Sequence, residues 1–138
     1  MVNNRVNIGA WAGQPVPNAG ESRKIDGGPL YPAATVLPLL HKAALNFWTK
    51  DCIKDAANLG LDTVDAAKLL VDALSNGSYK DSEWCDQKPG GPIAACDAYV
   101  LIRKEWNKYT FSELTCEYFL KFAVSKTGSV ILLVSCHT

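Results

Sequence analysis

The sequence predicts an α+β domain in which N-terminal helices pack on one face of an antiparallel sheet. Apolar side chains recur at helical spacing from about residue 35 to residue 75, and near residue 78 the pattern changes to strand-like alternation. Helices followed by a run of strands are typical of α+β folds. A length of 138 residues fits one domain.

Three helices are predicted, over residues 36–48, 50–59 and 63–75. The first follows Thr35, a plausible N-cap, and contains Pro38, which a helix tolerates only in its first turn. The second ends at Gly60, a residue type that commonly terminates helices. The third begins at Asp62 or Thr63 and ends at Asn76-Gly77.

Three strands are predicted, over residues 98–103, 115–124 and 130–136. Residues 115–124 alternate cleanly, which places one apolar set on one face. Residues 130–136 form a nearly continuous apolar run, as expected of a central strand that is covered on both faces. Residues 86–92 are rich in turn formers, and residues 103–110 are predicted to form an extended hairpin loop.

Residues 1–31 are predicted to be a flexible N-terminal arm, and residues 32–138 a single domain. The arm is rich in Gly, Pro, Asn and Ser and has no clear periodicity. Trp11 is the one side chain there that is large enough to anchor it. We expect few internal hydrogen bonds in this segment, and a small loss of stability when it is deleted.

Charge and cysteine content limit the possible functions. Lys plus Arg and Asp plus Glu both number 14, so any nucleic-acid site must be a local patch. The sequence has no run of eighteen apolar residues, so no membrane span is predicted. Five cysteines without close spacing favour reduced thiols in a cytoplasmic protein, and His41 and His137 stand too far apart to suggest a zinc site.

Four groups of residues carry a resemblance to a known family. They are Gly60-Leu61-Asp62 followed by Tyr79-Lys80-Asp81-Ser82, then Cys96-Asp97-Ala98-Tyr99, then Tyr118-Phe119-Leu120-Lys121-Phe122, and last the segment VILLVSCH at 130–137. The four groups resemble the MqsR family of type II toxins, which has the RelE-like fold. The resemblance lies in their order along the chain and in the spacing of the motifs in its helical half. The resemblance covers residues 32–138 and implies a RelE-like domain.

The resemblance implies a sequence-selective endoribonuclease that cuts messenger RNA without a metal or another cofactor. In this reaction the ribose 2′-hydroxyl attacks the adjacent phosphate, leaving a cyclic phosphate and a 5′-hydroxyl. Such chemistry requires proton transfer and a cation beside the phosphate. Carried over by position, Lys80 would stabilise the phosphate charge, His137 would act as acid or base, and Tyr99 and Lys121 would position the RNA.

The predicted hairpin loop adds a candidate RNA-binding patch. Arg103, Lys104 and Lys108 are interleaved with Trp106 and Tyr109, and cations beside stacking rings are typical of single-stranded RNA sites. A solvated hairpin tip explains the same residues nearly as well.

Two departures from the family pattern support a rival function. Cys96 stands where the family has glutamine, and Phe119 stands where it has a catalytic tyrosine. The rival is a non-catalytic protein-binding module of the same fold with an eroded nuclease site. As a toxin, the chain would have an antitoxin protein and RNA as partners. An unrelated regulatory domain is the third alternative.

Overall fold

The computed structural model describes residues 5–138, which form three helices and a six-stranded sheet. The chain is therefore α+β, as predicted. The elements in chain order are β1 Lys24–Ile25, α1 Ala33–His41, β2 Leu45–Phe47, α2 Lys50–Leu59, α3 Thr63–Asn76, β3 Ser78–Asp86, β4 Ile93–Asn107, β5 Ser112–Val124 and β6 Ile131–His137.

The sheet is mixed, with the strand order β1-β3-β4-β5-β6-β2. Four of its pairs are antiparallel, but β2 runs parallel to β6, with Leu45 opposite Ile131. The prediction of a purely antiparallel sheet is wrong at this edge. The reason lies in the first predicted helix, which ends at His41 instead of residue 48. Ala43 adopts a positive φ of 53°, and the chain then turns back along β6.

The second and third helices have the predicted positions because their ends are capped. The Thr49 side chain accepts a hydrogen bond from the Cys52 N–H, and Gly60 closes α2 in the left-handed conformation at φ 69°. Asp62 and Asp65 form a reciprocal capping box at the start of α3.

The three predicted strands exist, and the first two are longer than expected. Strand β4 continues to Asn107 and β5 begins at Ser112, so most of the loop predicted at 103–110 belongs to one strand of a projecting two-stranded hairpin. Strand β3 was missed, because its sequence SYKDSEWCD is polar and carries no long apolar run.

The helices cover one face of the sheet. Asp72 of α3 pairs with Arg103 of β4 at 3.1 Å, and α1 packs against α3 and β6. Helix α2 packs against β6, where Cys52 lies beside Cys136. This face carries the predicted alternating set of β5, whose buried members are Tyr118, Leu120, Phe122 and Val124.

We call the opposite side the open face; it carries Phe119, Lys121 and His137. One end of it is closed by the loop between β3 and β4. Gln87 in that loop donates a hydrogen bond to the Trp48 carbonyl at 3.0 Å, which bridges the sheet from β3 to the end of β2. The other end is uncovered.

The N-terminal segment differs from the flexible arm that its composition predicts. The Ile8 N–H donates to the Ile93 carbonyl at 3.0 Å, and the Ala10 N–H donates to the Val124 carbonyl at 2.8 Å. Trp11 packs on Trp84 with the ring centroids 5.9 Å apart. The prediction of few internal hydrogen bonds is wrong for residues 5–31; residues 1–4 lie outside the described part of the chain.

A buried carboxylate holds the end of this segment. Asp97 of β4 accepts hydrogen bonds from the N–H groups of Leu30 and Tyr31 at 2.9 and 3.0 Å, and from the Ser82 hydroxyl at 2.6 Å. The Tyr31 hydroxyl in turn donates to the Ala95 carbonyl at 2.6 Å. Composition could not reveal this tether, because its partner stands more than sixty residues away.

Gly28 is expected to be intolerant of any side chain. A Cβ there would overlap the Tyr79 and Ser82 hydroxyls, which are hydrogen-bonded to each other at 2.7 Å. We expect Gly28→Ala to lower the free energy of unfolding by about 1–3 kcal/mol. Urea denaturation measures the loss. Asp26→Ala, two residues away and exposed, is the control and should change stability by less than about 0.5 kcal/mol. An equal loss in both variants would contradict the close packing at Gly28.

Candidate functional site

The phenyl ring of Phe119 is the centre of a cluster on the open face. His137 lies opposite Phe119 in the β5–β6 register, so both side chains project from the same face. Their rings stack with centroids 5.1 Å apart and planes inclined by 24°. The stacking holds the imidazole ring in place, although His137 is the penultimate residue and is exposed.

Lys80 reaches the same ring from β3. The β3–β4 register shifts between Tyr79 and Asp81, so Lys80 is the extra residue of a β-bulge. Its Nζ lies 4.8 Å from the centroid of the Phe119 ring. The ammonium group is exposed, and within residues 5–138 it forms no ion pair. Lys80 and His137, which are distant in sequence, therefore both contact the Phe119 ring.

Lys121 completes the cluster from the next open-face position of β5. Its Nζ lies 5.5 Å from the Phe119 centroid and is ion-paired with Glu83. Burial alone would lower the pKa of Lys121, but the negative groups of Cys85 and Glu83 raise it above its usual value. Burial likewise opposes ionisation of Glu83, yet the Lys121 hydrogen bond and charge hold the pKa of Glu83 below its usual value. The pair is therefore charged at neutral pH.

Tyr99 lies apart from this cluster, which corrects its predicted place in the site. It pairs with Leu120, so its side chain projects from the helix-covered face. The ring stacks on Phe122 with centroids 6.1 Å apart and meets Tyr79 edge-on at 5.7 Å. Burial raises the pKa of the Tyr99 hydroxyl. Tyr99 is a core residue, and alternation along β4 keeps it from the open face.

Arg103 is also engaged on the helix-covered face. Its guanidinium binds Asp72 at 3.1 Å and Glu105 at 3.2 Å and lies over the Tyr118 ring at 5.3 Å. These contacts hold the hairpin against α3. The RNA-binding role predicted for Arg103 therefore finds no support in its position.

The other predicted RNA-binding residues lie on the projecting hairpin. Lys104 and Trp106 alternate onto the open side, and Lys104 is about 13 Å along β4 from Val100, the partner of Phe119. Lys108 lies over the Tyr109 ring at 5.5 Å. Trp106 is 63% exposed. The hairpin patch is thus a second surface, separate from the Phe119 cluster.

Sequence reasoning missed the residues of β3 that complete the open face, since β3 was not predicted as a strand. Glu83 neutralises Lys121, and Cys85 borders a cavity of about 620 Å³ beside it. The segment SYKDSEWCD has no regular polar–apolar alternation, so no local strand signal was available.

Two kinds of feature, a metal-binding cluster and a membrane-spanning helix, are absent from residues 5–138. Within residues 5–138, no group of three or more His, Cys, Asp and Glu side chains could hold a metal ion. In the same range, none of the helices has the length and apolar character needed to cross a membrane.

Comparisons with known proteins identify no relative. No family model matches the chain, and neither the curated proteins nor the solved structures include a significant match. The geometry of the side chains around Phe119 is therefore the basis for assigning a chemistry to the open face.

Proposed function

We propose that this protein is a metal-independent endoribonuclease toxin of a toxin–antitoxin pair, of the RelE-like kind, which binds RNA on the open face. The observation that carries the proposal is that Lys80, Lys121 and His137 all contact the Phe119 ring, at 4.8 to 5.5 Å from its centroid. Phosphate transfer to a 2′-hydroxyl requires a cation beside the phosphate and groups that transfer protons.

Each residue of the cluster has a role that follows from its surroundings. Lys80 is exposed and forms no ion pair within residues 5–138, so its charge is available to a phosphate. An imidazole can accept or donate a proton, so His137 takes the proton from the 2′-hydroxyl or gives one to the leaving 5′-oxygen. Lys121 is 12% exposed and held by Glu83, so it orients RNA from a fixed position. Phe119 has no hydroxyl and serves as the support on which the three groups rest.

The projecting hairpin supports the second candidate, a non-catalytic protein-binding module with an eroded site. Trp106, Tyr109 and Phe111 at its tip are 63, 84 and 80% exposed. Exposed aromatic side chains grouped on one element favour a protein contact. In the toxin proposal the same hairpin is the place where the antitoxin would bind.

Growth arrest tests the proposal in cells. Induced without an antitoxin in a growing bacterium, the wild-type chain is expected to stop growth, and Lys80→Ala with His137→Ala is expected to restore it. The paired controls are Lys126→Ala, at the opposite end of β5, and His41→Ala, at the end of α1. Normal growth with the folded wild-type chain would favour the binding module. Arrest that survives the double substitution would place the active site elsewhere.

A further inference from the structure

A cavity of about 620 Å³ lies beside the Phe119 cluster and contains a thiol that RNA cleavage does not use. It opens at the start of α2, between Thr49 and the loop that follows β3. Cys85 and Lys121 line its sheet side, and Lys50 and Lys88 line its rim.

The strand register places a second thiol next to the first. Cys85 pairs with Ala94 and Glu83 pairs with Cys96, so the two cysteines are diagonal neighbours on the same face of β3 and β4. Cys96 is fully buried, with its Sγ 3.4 Å from the Ala94 carbonyl oxygen. Cys85 is half-buried and borders the cavity. Only Cys85 is therefore within reach of a molecule in the cavity.

The surroundings of the two thiols shift their pKa values in opposite directions. The neighbouring Cys96 thiol and the charge of Lys121 hold the pKa of Cys85 below its ordinary value, against the effect of burial. Burial raises the pKa of Cys96. Since the thiolate is the nucleophile and Cys85 borders the cavity, Cys85 is the reactive member of the pair.

The charge around the cavity favours an anion. Two carboxylates line it: Asp86 is neutralised by Arg5 and Arg23, at 3.0 and 3.2 Å, and Asp51 is outnumbered by Lys50 and Lys88. Lys50 and Lys88 pair with no carboxylate of residues 5–138. The free N–H groups at the start of the ten-residue helix α2 add positive potential on the same side.

We propose that Cys85 is a thiol-modification site that accepts small anionic disulfides, such as a disulfide of a carboxylate-bearing thiol. The Cys85 thiolate attacks one sulfur of the bound disulfide, and a new S–S bond forms as the old one breaks. The displaced sulfur leaves as a thiolate with the bonding electrons, so no further oxidant is needed. Lys50 and Lys88 bind the carboxylates, and the charge of Lys121 stabilises the attacking sulfur as a thiolate.

Two disulfides of opposite charge test this proposal. The native protein at pH 7 is treated with dithiobis-nitrobenzoate, which carries two carboxylates, and with cystamine, which carries two ammonium groups; peptide mass spectrometry locates the adducts. Relative to free cysteine with each reagent, Cys85 should prefer the anionic disulfide by about tenfold or more. Cys116 is the internal control, since it is also half-buried but the Glu105 hydrogen bond raises its pKa.

Variants separate the thiol from its charged surroundings. Cys85→Ser should remove the fast reaction, and Cys116→Ser should keep it. Lys88→Gln, an exposed position outside the RNA-cleaving cluster, should slow only the anionic reagent. If Cys85→Ser does not fold, the wild-type adduct map decides alone. A fast adduct on another cysteine, or equal preference for both disulfides at Cys85, would overturn the proposal. RNA cleavage is measured separately, so either function can fail without the other.

Discussion

Lys80→Ala is expected to lower RNA cleavage by the purified protein about a hundredfold or more, the scale for losing one preorganised charge at a reacting phosphate. The loss should be in turnover, because the extra charge of the transition state is what the Lys80 ammonium stabilises. The side chain is exposed and contacts the Phe119 ring at 4.8 Å, so the fold should survive its removal.

The control for this prediction is another exposed lysine in the sheet layer. Lys126 lies in the turn between β5 and β6, at the far end of the strands that carry Phe119 and His137. Lys126→Ala should cleave as the wild type does. Equal activity in Lys80→Ala and the wild type, with both folded, would exclude Lys80 from the chemistry and contradict its assigned role.

Asp97→Ala is expected to lower the free energy of unfolding by about 3 kcal/mol or more, since each buried donor left unsatisfied costs about 1–3 kcal/mol. Asp97 is fully buried and accepts from two backbone N–H groups and the Ser82 hydroxyl. Its loss would release residues 28–31 and the aromatic packing of Tyr31 on Phe122, with ring centroids 6.1 Å apart. Chemical denaturation measures the change.

Asp81→Ala provides a matched comparison for Asp97→Ala. Asp81 lies on β3 and pairs with exposed Lys24 at 2.7 Å, and such surface ion pairs contribute about 1 kcal/mol or less. The two aspartates should therefore differ clearly in effect. A loss below about 1 kcal/mol for Asp97→Ala would mean that the tether does not stabilise the fold.

The elements predicted best are those with local signals. The ends of α2 and α3 are set by Thr49, Gly60 and Asp62, which act on neighbouring backbone groups. The alternation of β5 is likewise visible in its own residues. Local chemistry of this kind is readable without knowing which distant segment it meets.

The errors arise where long-range partners outweigh local preference. Residues 45–47 are compatible with helix, but the edge of β6 recruits them as a parallel strand. Residues 5–31 have the composition of a loop, yet Asp97 and Trp84 bind them to the sheet. Strand β3 is polar because one of its sides faces the open surface.

The candidate site was predicted only in part, because some of its residues depend on partners on distant strands. The resemblance pointed to Lys80 and His137, and the structure places both on Phe119. It also pointed to Tyr99, which alternation along β4 turns into the core. Glu83 and Cys85 could be recognised only with the register of β3 known, because their importance comes from Lys121 on another strand.

The most direct test of the central proposal is cleavage of messenger RNA by the purified chain in the presence of EDTA, followed by analysis of the new ends. The proposal predicts fragments that end in a cyclic phosphate and begin with a 5′-hydroxyl, formed by the wild type and lost in the Lys80→Ala, His137→Ala double variant. RNA left intact by the folded wild-type protein, or cut equally by the double variant, would contradict it.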